Sequence, residues 1–453
     1  MSSHRARYLL DEDQVPTHWY NVLPDLTIGP PPARRPGQQA ADTDGKRSML
    51  PQLPLSMYRQ SVSQERFIRI PDEVRREYQR WRPTPLIRAH ALERELDTPA
   101  HLSYKYEGAN PAGSHKLNSA LAQAYYYRAA GVTELVTGTG AGQWGTALAV
   151  ACRTFGLNCT VFMVRCSYHQ KPGRGVLMRL HGATTIPSPS TRTESGRRAL
   201  AGEPDTDGSL SIANAEALEY AHATDGSRFS IGSGENHVLL QQTVIGEEAL
   251  RQFAMAGEFP DVVIGSMGAG SNFAGLAFPF YREKVRTGAD TRLVAVEPTA
   301  CPKMTRGVYA WDYNDISGIT PMTKMYTLGA SFTAPSIHSG GLRYHGAAPL
   351  VSAMYHHGLL EAVAYPQRAV FDAAATFART EWLAVAPESA HAVRCAIDEA
   401  LRARAERRPT VILFNVSGHG LLDLGAYEQY LLGDLLDHTV PDELIAASLA
   451  RLP

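Results

Sequence analysis

A single lysine stands between a turn-rich segment and a helix-prone segment, where its amine could do chemistry. Lys116 follows the polar lead-in Gly108–His115 and precedes Ser119–Ala130, which is rich in Ala, Leu and Tyr. The helix macrodipole disfavours a cation in the first turn of a helix, so a lysine there suggests an anionic ligand. If burial lowers its pKa, the amine can also lose its proton and attack a carbonyl. A surface lysine after a loop is the competing interpretation.

Two glycine-rich turns follow strand-like segments and open helix-like segments, which is an arrangement that binds anions. The first glycine turn, Thr139–Gly145, reads TGAGQWG, and the second glycine turn, Gly265–Asn272, reads GSMGAGSN. Small residues at a helix N-terminus expose backbone N–H groups that can hold a carboxylate or a phosphate. In the second turn, Ser271 and Asn272 add side-chain donors. An ordinary βα turn is the competing interpretation of the first turn, and a dinucleotide fold is that of the second turn, where the GxGxxG spacing is absent.

Two strings nearer the C-terminus place polar side chains at the ends of predicted elements. Ser417 lies in VSGHG (Val416–Gly420) after a predicted strand, and Glu388 lies in PESAH (Pro387–His391) at a predicted helix start. A serine at such a place can be an ordinary helix cap, and an acidic residue at a helix start is favourable without any function. These two strings therefore indicate a site only in combination with the lysine and the glycine turns.

The composition excludes several classes of function. Charged residues make up 20% of the 453 residues and the formal net charge is -1, so no basic field attracts nucleic acid. The five cysteines form no CxxC pair, which favours a reducing compartment without a disulfide framework or a zinc site. Met1–Tyr20 has scattered charges, and no apolar run reaches about 20 residues, so neither a signal peptide nor a membrane span is predicted. The predicted location is the cytoplasm.

Strand and helix patterns alternate from Lys116 onward, which predicts parallel sheets with helices on both faces. The predicted strands cover 101–107, 133–137, 158–164, 183–186, 261–266, 291–296 and 410–414. The predicted helices cover 71–81, 117–130, 143–155, 171–181, 239–256, 271–286, 366–380 and 388–405. Two long polar or irregular stretches, 188–207 and 300–345, are typical of lids or segments that contact a substrate. Residues 1–60 are irregular, and Arg34–Lys46 reads as extended, mobile chain.

These strings resemble the tryptophan synthase beta chain family, whose members use pyridoxal 5'-phosphate (PLP). His115, Lys116 and Asn118 match the family's PLP lysine motif, and the two glycine turns match its carboxylate loop and its phosphate cup. Trp144 after Gln143 is typical of the second, stand-alone branch. Further strings typical of that branch are Trp19–Leu26, Gln170–Pro172, Asn236–Leu240, Pro335–His338 and Gly340–Gly346. The last two resemble the substrate lid of the branch, and residues 335–346 are called the lid segment below.

The resemblance implies a fold and a set of site residues. The fold class is the α/β fold-type II of PLP-dependent enzymes, with two three-layer domains and the cofactor in the cleft between them. The expected domains are 1–79 with 116–240, and 80–115 with 241–453. Lys116 is expected to hold PLP as a Schiff base and to move the proton at the substrate Cα, while Ser417 meets the pyridine nitrogen. The other implied cofactor contacts are His115, Asn118, Gly268, Ala269, Gly270, Ser271, Asn272 and Glu388. The implied substrate contacts are Gly138, Thr139, Gly140, Ala141, Gly142 and Gln143.

The resemblance also implies an activity. The expected reaction is a β-replacement in which L-serine or an activated serine gives an aminoacrylate and a nucleophile then adds at Cβ. Indole is the family's default nucleophile and L-tryptophan its product. A neutral hydroxyl at the pyridine nitrogen favours this chemistry over reactions that need a long-lived carbanion. The expected assembly is a homodimer without an alpha subunit, with no nucleic-acid or membrane partner, and family members can also bind a monovalent cation.

One position departs from the family pattern. The family has a glutamate immediately before the TGAGQ string, where it handles protons at the β-carbon substituent and orients indole, whereas this chain has Gly138. Loss of a placed acid or base typically costs ~10²–10⁴ in rate. Three explanations compete. In the first, the chain makes tryptophan slowly or uses a better leaving group such as phosphate. In the second, it uses another nucleophile that fits the space freed at Gly138. In the third, a nearby acid such as Glu235 takes the role of the family's glutamate.

Two interpretations lie outside β-replacement. A serine or threonine deaminase would let water hydrolyse the same intermediate. A catalytically quiet relative would act as a binding or regulatory partner. Retention of Lys116, the second glycine turn and Ser417 speaks against the quiet relative, because a decayed enzyme has little reason to keep a Schiff-base lysine.

Overall fold

The computed structural model describes residues 5–34, 53–318 and 320–453, and it contains parallel sheets flanked by helices. The strands are β1 (Arg7–Tyr8), β2 (His18–Tyr20), β3 (Phe67–Arg69), β4 (Leu86–Arg88), β5 (His101–Tyr106), β6 (Glu134–Thr139), β7 (Asn158–Val164), β8 (Thr184–Ser188), β9 (Ser227–Phe229), β10 (Val262–Ser266), β11 (Arg292–Pro298), β12 (Val308–Asp312), β13 (Thr323–Thr327), β14 (Glu361–Tyr365) and β15 (Val411–Val416). The helices are α1 (Leu55–Val62), α2 (Asp72–Tyr78), α3 (His90–Glu95), α4 (Lys116–Ala129), α5 (Gln143–Phe155), α6 (Arg165–Gln170), α7 (Pro172–Leu180), α8 (Glu194–Gly202), α9 (Leu210–Ala223), α10 (Asn236–Gln242), α11 (Val244–Ala256), α12 (Ser271–Thr287), α13 (Pro349–His356), α14 (Gln367–Glu381), α15 (Pro387–Glu406), α16 (Leu424–Leu432) and α17 (Asp442–Leu449).

The larger sheet has seven strands in the order β1-β4-β5-β15-β10-β11-β14. The pairs β1–β4 and β4–β5 are antiparallel, and the other four pairs are parallel. Along β10, Val263 packs into one hydrophobic core, whereas Val262 and Ile264 pack into another core on the opposite face. Because successive side chains of a strand point to opposite faces, this sheet is covered on both sides, which is typical of parallel strands.

The smaller sheet has four parallel strands in the order β8-β7-β6-β9. Helices α5 and α9 both pack on β6, which lies inside this sheet. Together the two sheets confirm the predicted α/β fold class. The division into two domains stays a prediction. The smaller sheet takes its strands from 134–229, and the larger sheet takes its strands from 7–8, 86–106 and 262–416.

Several elements differ from those that the sequence predicts. The single helix predicted over 239–256 is two helices, α10 and α11, which meet at Thr243. The stretch 188–207 contains α8, and the irregular stretch 300–345 contains the hairpin β12–β13. Helix α9, which follows α8 in the chain, was not predicted from the sequence. The predicted mobile stretch Arg34–Lys46 lies, apart from Arg34, outside the described residues.

The N-terminal WYN string packs against the body of the protein. Trp19 and Tyr20 are fully buried, and the N–H of Tyr20 donates to Thr243 Oγ1 over 2.9 Å. This contact fixes the N-terminal segment at the junction of α10 and α11. In the part of the chain that the structure describes, no helix combines the length and the apolar character needed to cross a membrane.

A fully buried group of charged side chains lies between the larger sheet and helices α4 and α11. Arg82 forms ion pairs with Glu107 over 2.7 Å and with Glu248 over 2.8 Å, and Lys105 pairs with Glu248 over 2.7 Å. Asn118 on α4 joins this charge network, because its Nδ2 donates to Glu107 Oε2 over 3.2 Å and its Oδ1 accepts from Arg82 Nε. Two cations balance two carboxylates, which is what permits such burial. The network holds the first turn of α4 beside β5.

Candidate active site

Turns that leave three neighbouring strands of the larger sheet meet around one cavity. The loop after β5, the second glycine turn after β10 and the Ser417 turn after β15 all leave the carboxyl ends of parallel strands, where α/β proteins bind ligands. The cavity has an empty volume of about 470 Å³. The predicted site residues that line it are His115, Lys116, Gln143, Gly268, Ala269, Gly270, Ser271, Asn272, Glu388 and Ser417.

Lys116 is the first residue of α4 and points into this cavity. Its Nζ donates to the carbonyl of Gly232 over 3.2 Å. Burial lowers the pKa of the Lys116 amine to about 8, although the Glu388 carboxylate acts in the opposite direction. About a tenth of the amine is therefore neutral at pH 7, far more than for an ordinary lysine, and the neutral amine is the state that attacks a carbonyl.

His115 precedes the lysine and is held as a neutral imidazole. Burial lowers the pKa of His115 well below its usual value, and the neighbouring Lys116 adds to this. The backbone N–H of His115 donates to the carbonyl of Ser417 over 2.8 Å, which ties the lysine loop to the β15 turn. Its Nε2 lies 3.2 Å from Ser271 Oγ, whereas its Nδ1 is buried without a partner. One ring nitrogen of His115 thus remains available for a ligand.

The second glycine turn places the N-terminus of the 17-residue helix α12 against the cavity. A side chain at Gly268 would bring a Cβ within 2.6 Å of the Gly341 carbonyl, so only glycine permits this approach. Asn272 Nδ2 donates to Ser266 Oγ over 3.0 Å, and Asn272 Oδ1 accepts from Asn415 over 2.5 Å. The turn is therefore rigid and presents backbone N–H groups at the positive end of a helix dipole, where an anion is stabilised.

Ser417 belongs to a pair of hydroxyl groups. Its Oγ lies 2.7 Å from Ser389 Oγ, and Ser389 Oγ also accepts the backbone N–H of Gly418 over 3.0 Å. Either hydroxyl can donate in this pair, and Ser389 Oγ also lies 3.4 Å from the Gly418 carbonyl oxygen. When Ser389 donates to Ser417, the hydroxyl hydrogen of Ser417 can point into the cavity.

The lid segment covers the cavity and contacts a carboxylate there. The backbone N–H of Gly341 donates to Glu388 Oε1 over 2.9 Å, and Glu388 Oε2 is buried without a partner. Gly341 and Leu342 of the lid line the cavity, and Arg343 of the lid donates to Cys166 Sγ over 2.7 Å. Among the described residues that line the cavity, Glu388 supplies the only carboxylate. Glu388 therefore links the lid to the interior of the site.

The first glycine turn reaches the cavity with its last predicted residue. Gln143 lines the cavity at the start of α5, whereas Gly140 lines a second cavity with an empty volume of about 350 Å³. That second cavity lies between the turn, the start of α9 and the lid. The other predicted substrate contacts of the turn, Thr139, Ala141 and Gly142, line neither cavity. A side chain at Gly140 would approach the Gly340 carbonyl to 2.8 Å, so the turn and the lid are in close contact.

Gly138 lies on β6, directly before the first glycine turn, and the space beside it is filled. A Cβ at Gly138 would lie 2.5 Å from Asn214 Oδ1 and 2.8 Å from the backbone of Ala213 and Asn214. The expectation that Gly138 leaves free space for a larger nucleophile is therefore wrong, because α9 packs against this position. Asn214 is 5% exposed and places an amide beside Gly138.

Two other predicted residues lie away from the cavity. Asn118 is buried in the charge network with Arg82 and Glu107 and does not line the cavity. Glu235, the candidate substitute acid, precedes α10 and accepts from Asn314 Nδ2 over 3.2 Å. Asn314 Oδ1 in turn accepts the hydroxyl of Tyr344 in the lid segment over 3.0 Å. Burial raises the pKa of Glu235, but its contacts connect it to the lid and not to Lys116.

Sequence reasoning missed several residues that shape this site. Ser114 and Ser389 could have been predicted, because each is the sequence neighbour of a residue that a motif identified. Gly232, whose carbonyl accepts from Lys116, and Asn214, which fills the space at Gly138, lie outside every identified motif. No local pattern pointed to the last two, because only the packing of distant segments brings them to the site.

The comparisons with known proteins agree on one family. A family model described as "Pyridoxal-phosphate dependent enzyme" matches residues 78–418. The tryptophan synthase beta chain 2 of Aeropyrum pernix is 53% identical over 450 residues, which cover 99% of this chain and 100% of the relative. The tryptophan synthase beta chain 2 of Methanosarcina mazei is 50% identical over 433 residues, which cover 95% and 97%. This chain belongs to the tryptophan synthase beta chain family of PLP-dependent enzymes.

A solved structure supports the fold on independent grounds. The fungal L-serine ammonia-lyase from Rhizomucor miehei superimposes with a TM-score of 0.58 at 16% identity, covering 78% of this chain and 98% of that chain. At this identity the likeness shows the fold alone. Together with the family match, it confirms the predicted fold-type II. The relatives named as beta chain 2 confirm the predicted family and fit its second branch.

The residues around the cavity fit PLP. Three polar atoms of its lining are buried without partners, and a bound cofactor with phosphate and ring substituents can satisfy them: Ser114 Oγ, His115 Nδ1 and Glu388 Oε2. Leaving such atoms unpaired is costly, so a site of this kind needs a ligand. The α12 N-terminus offers donors for a phosphate, and Ser417 offers a donor for an unprotonated ring nitrogen.

Proposed function

We propose that the protein catalyses PLP-dependent β-replacement on L-serine or an activated serine, with indole as the default nucleophile and L-tryptophan as the product. The observation that carries this proposal is the position of Lys116. Its amine, with a pKa lowered to about 8, lies in the cavity that the second glycine turn, Ser417 and the lid also line. The relatives that share about half of its residues are named tryptophan synthases, which supports the same reaction.

The residues of this chain divide the work of such a reaction. PLP, when bound, supplies the electron sink for bond breaking next to the amino group. Lys116 attaches the cofactor and carries the proton at the substrate Cα. His115, Ser271, Asn272 and the backbone N–H groups of residues 268–270 hold the phosphate. Ser417 donates to the ring nitrogen and leaves it unprotonated.

The remaining residues bind and enclose the substrate. The first glycine turn, from Thr139 to Gln143, binds the substrate carboxylate at the N-terminus of α5. The lid segment excludes water, because Gly341 approaches Gly268 and also bonds to Glu388. Exclusion of water favours addition of a nucleophile over hydrolysis. It therefore speaks for β-replacement rather than for serine or threonine deamination.

A second candidate function is β-replacement with a nucleophile other than indole. The observation that favours it is at Gly138, where Asn214 on α9 fills the space beside the glycine and the nearest described atoms include no carboxylate. An amide cannot remove a proton from a nucleophile. Such a site suits a nucleophile that is already reactive at neutral pH.

One experiment separates these functions. The purified protein loaded with PLP is given L-serine, then O-phosphoserine, each with and without indole, and the amino-acid and keto-acid products are separated and identified. Tryptophan as the main product supports the default reaction. Consumption of serine without tryptophan but with pyruvate indicates deamination or a different nucleophile, and a panel of thiols, amines and phenols then distinguishes the two. No consumption of either donor would overturn the proposed β-replacement.

Exchange of Glu388 for glutamine is expected to lower kcat by about 10²-fold, the lower range for loss of a placed acid or base. The reason is that Glu388 is the carboxylate in the cavity lining, with one oxygen free of protein partners. Glutamine keeps the size and can still accept the Gly341 N–H, so the change removes the charge and the proton-carrying capacity. Steady-state kcat and KM across pH 6–9 measure the effect.

The matched control for this exchange is Glu235→Gln. We expect it to leave kcat within about twofold, because the Glu235 carboxylate contacts Asn314 and does not line the cavity. The reverse result, a large loss in Glu235→Gln and none in Glu388→Gln, would assign the substitute acid to Glu235.

The assembly, the location and the domain division belong to the same proposal. A homodimer without an alpha subunit is proposed from the resemblance to the stand-alone branch, and light scattering of the purified chain tests it. The two domains, 1–79 with 116–240 and 80–115 with 241–453, would enclose the cofactor between them. A cytoplasmic location is supported by the five cysteines without CxxC spacing, which suit a reducing compartment.

A further inference from the structure

A lysine outside the catalytic motifs lies buried behind the second glycine turn. Lys303 follows β11 and is fully buried. Its Nζ lies 3.3 Å from the carbonyl oxygen of Met267, 3.4 Å from the carbonyl oxygen of Cys301 and 3.4 Å from Glu297 Oε2. The ammonium is thus surrounded by two backbone carbonyls and one carboxylate, and it contacts no solvent.

The carbonyl of Met267 connects this lysine to the cofactor site. Met267 lies between Ser266 and Gly268, which both line the cavity. The N–H of Met267 donates to the Val296 carbonyl on β11 over 2.7 Å, so the peptide between Ser266 and Met267 is held by the sheet. Lys303 holds the next peptide, between Met267 and Gly268, through the Met267 carbonyl. The position of the ammonium therefore sets the direction of the peptide from which the phosphate-binding N–H groups begin.

Glu297 is already held without the lysine. Its Oε1 accepts the N–H of Thr305 over 2.9 Å and the Thr305 hydroxyl over 2.8 Å, and its Oε2 accepts the N–H of Met304 over 3.1 Å. A fixed, buried carboxylate still needs a positive charge beside it. Carbonyl and carboxylate oxygens in this arrangement are also the ligands of alkali cations, since they replace the hydration shell of the ion.

The three contacts of the ammonium are long for hydrogen bonds. Protein N–H···O bonds are usually ~2.7–3.2 Å long, whereas these contacts measure 3.3–3.4 Å. The three oxygens therefore surround the positive charge of the ammonium without forming a short, directional hydrogen bond to it. An ion pair built for stability alone would be expected to show at least one short contact, as Lys105 does with Glu248 at 2.7 Å.

We propose that the Lys303 ammonium takes the place of a bound monovalent cation behind the phosphate-binding turn. The residues present do not fit a separate cation there, because the lysine already supplies the charge to the carbonyls and to Glu297. Lys303 is a positioning residue: it holds the Met267 carbonyl and through it the second glycine turn. The protein consequently binds PLP equally well with or without potassium, sodium or ammonium ions. This inference rests on PLP binding, and it is independent of which nucleophile the enzyme uses.

The test compares the wild-type protein with Lys303→Ala and Lys303→Met. Apoprotein is prepared in buffer with tetramethylammonium as the only cation, and KCl, NaCl or NH₄Cl is then added at constant ionic strength. The dissociation constant for PLP is measured by quenching of tryptophan fluorescence, and thermal unfolding of the apoprotein is measured in parallel. Lys284→Ala is the control, because Lys284 also donates to a carbonyl, that of Thr291, but on the partly exposed surface.

The wild type and Lys284→Ala are expected to bind PLP with the same affinity in all four salts. Lys303→Ala is expected to bind PLP about tenfold more weakly in tetramethylammonium, the value of one hydrogen bond to a charged group, and to recover in potassium or ammonium. Its apoprotein unfolds at a higher temperature in the salts that restore binding. Lys303→Met is expected to lose affinity without recovery, because its longer stem leaves no room for an ion.

Three results would overturn the inference. The first is a wild-type affinity for PLP that rises several-fold with potassium, since a separate cation site would then exist. The second is a Lys303→Ala protein whose PLP affinity and unfolding temperature no cation changes, since Lys303 would then be a structural ion-pair partner only. The third is a Lys303→Ala protein that stays unfolded at every potassium and ammonium concentration, because an ion in the vacated place should restore the charge balance.

Discussion

Lys116→Ala is expected to abolish covalent attachment of PLP and to lower turnover by about 10⁴-fold, the upper range for loss of a placed proton-transfer group. The reason is that the amine of Lys116 has two proposed roles, attachment of PLP and transfer of the proton at the substrate Cα, for which the described residues that line the cavity offer no other amine. Borohydride reduction followed by peptide mass analysis measures attachment, and serine consumption measures turnover. We expect the wild-type peptide that contains Lys116 to carry the cofactor and the variant to carry none.

The control for this exchange is Lys284→Ala, which removes a partly exposed lysine and should retain both attachment and turnover. A second control uses pH. Burial lowers the pKa of Lys116 to about 8, so the neutral fraction of the amine rises as the pH rises through 8. Attachment of PLP to wild-type apoprotein should therefore accelerate roughly tenfold between pH 7 and pH 9. Attachment at a lysine other than Lys116, or a rate that is flat over this range, would contradict the assignment.

Glu248→Gln is expected to lower the free energy of unfolding by about 3–5 kcal/mol, because it removes one charge from a fully buried, balanced network. Glu248 Oε2 forms ion pairs with Lys105 Nζ over 2.7 Å and with Arg82 Nη1 over 2.8 Å. A glutamine of the same shape leaves Glu107 as the only carboxylate for two buried cations. The measurement is urea unfolding of the apoprotein, in which the midpoint should fall while the slope stays constant.

The control for the network is Glu77→Gln, which removes a surface ion pair with Arg80 over 3.1 Å. Exposed pairs contribute little, so this variant should unfold at the wild-type midpoint. The network also has a functional side. Asn118 belongs to it and lies on α4 close to Lys116, so a residual folded fraction of Glu248→Gln should bind PLP more weakly. A Glu248→Gln midpoint equal to the wild-type value would show that the charges are not coupled.

The alternation of strands and helices could be predicted because it depends on local patterning. The helix Gln143–Phe155 and the strand Asn158–Val164 have the predicted bounds, because the periodicity and the glycines that flank the helix, Gly142 and Gly156, all lie within a few residues. The break between α10 and α11 could not be predicted. No glycine or proline marks it, and Thr243 at the break bonds to Tyr20, which is 223 residues away in the chain.

The candidate site shows the same division. Lys116, the two glycine turns and Ser417 could be found in the sequence because each is a contiguous string whose chemistry follows from its own residues. Tertiary structure alone decided what surrounds them. The free space expected at Gly138 is absent, because Asn214 of the unpredicted helix α9 packs there. Whether the space beside a glycine is filled depends on the segments that pack against it, which the local sequence does not specify.

The sequence by itself determined the family, the cofactor and most of the strings that line the candidate site, because motif strings encode local backbone shape and local side-chain chemistry. Only the tertiary structure decided how charges are paired in the interior. Lys303 carries no motif, yet the fold places its ammonium against the Met267 carbonyl and Glu297 behind the cofactor site. Lys105 and Glu248 lie far apart in the sequence and meet at 2.7 Å. Burial of a charge costs desolvation free energy unless an opposite charge lies beside it. That opposite charge is supplied by whichever segment the fold brings close.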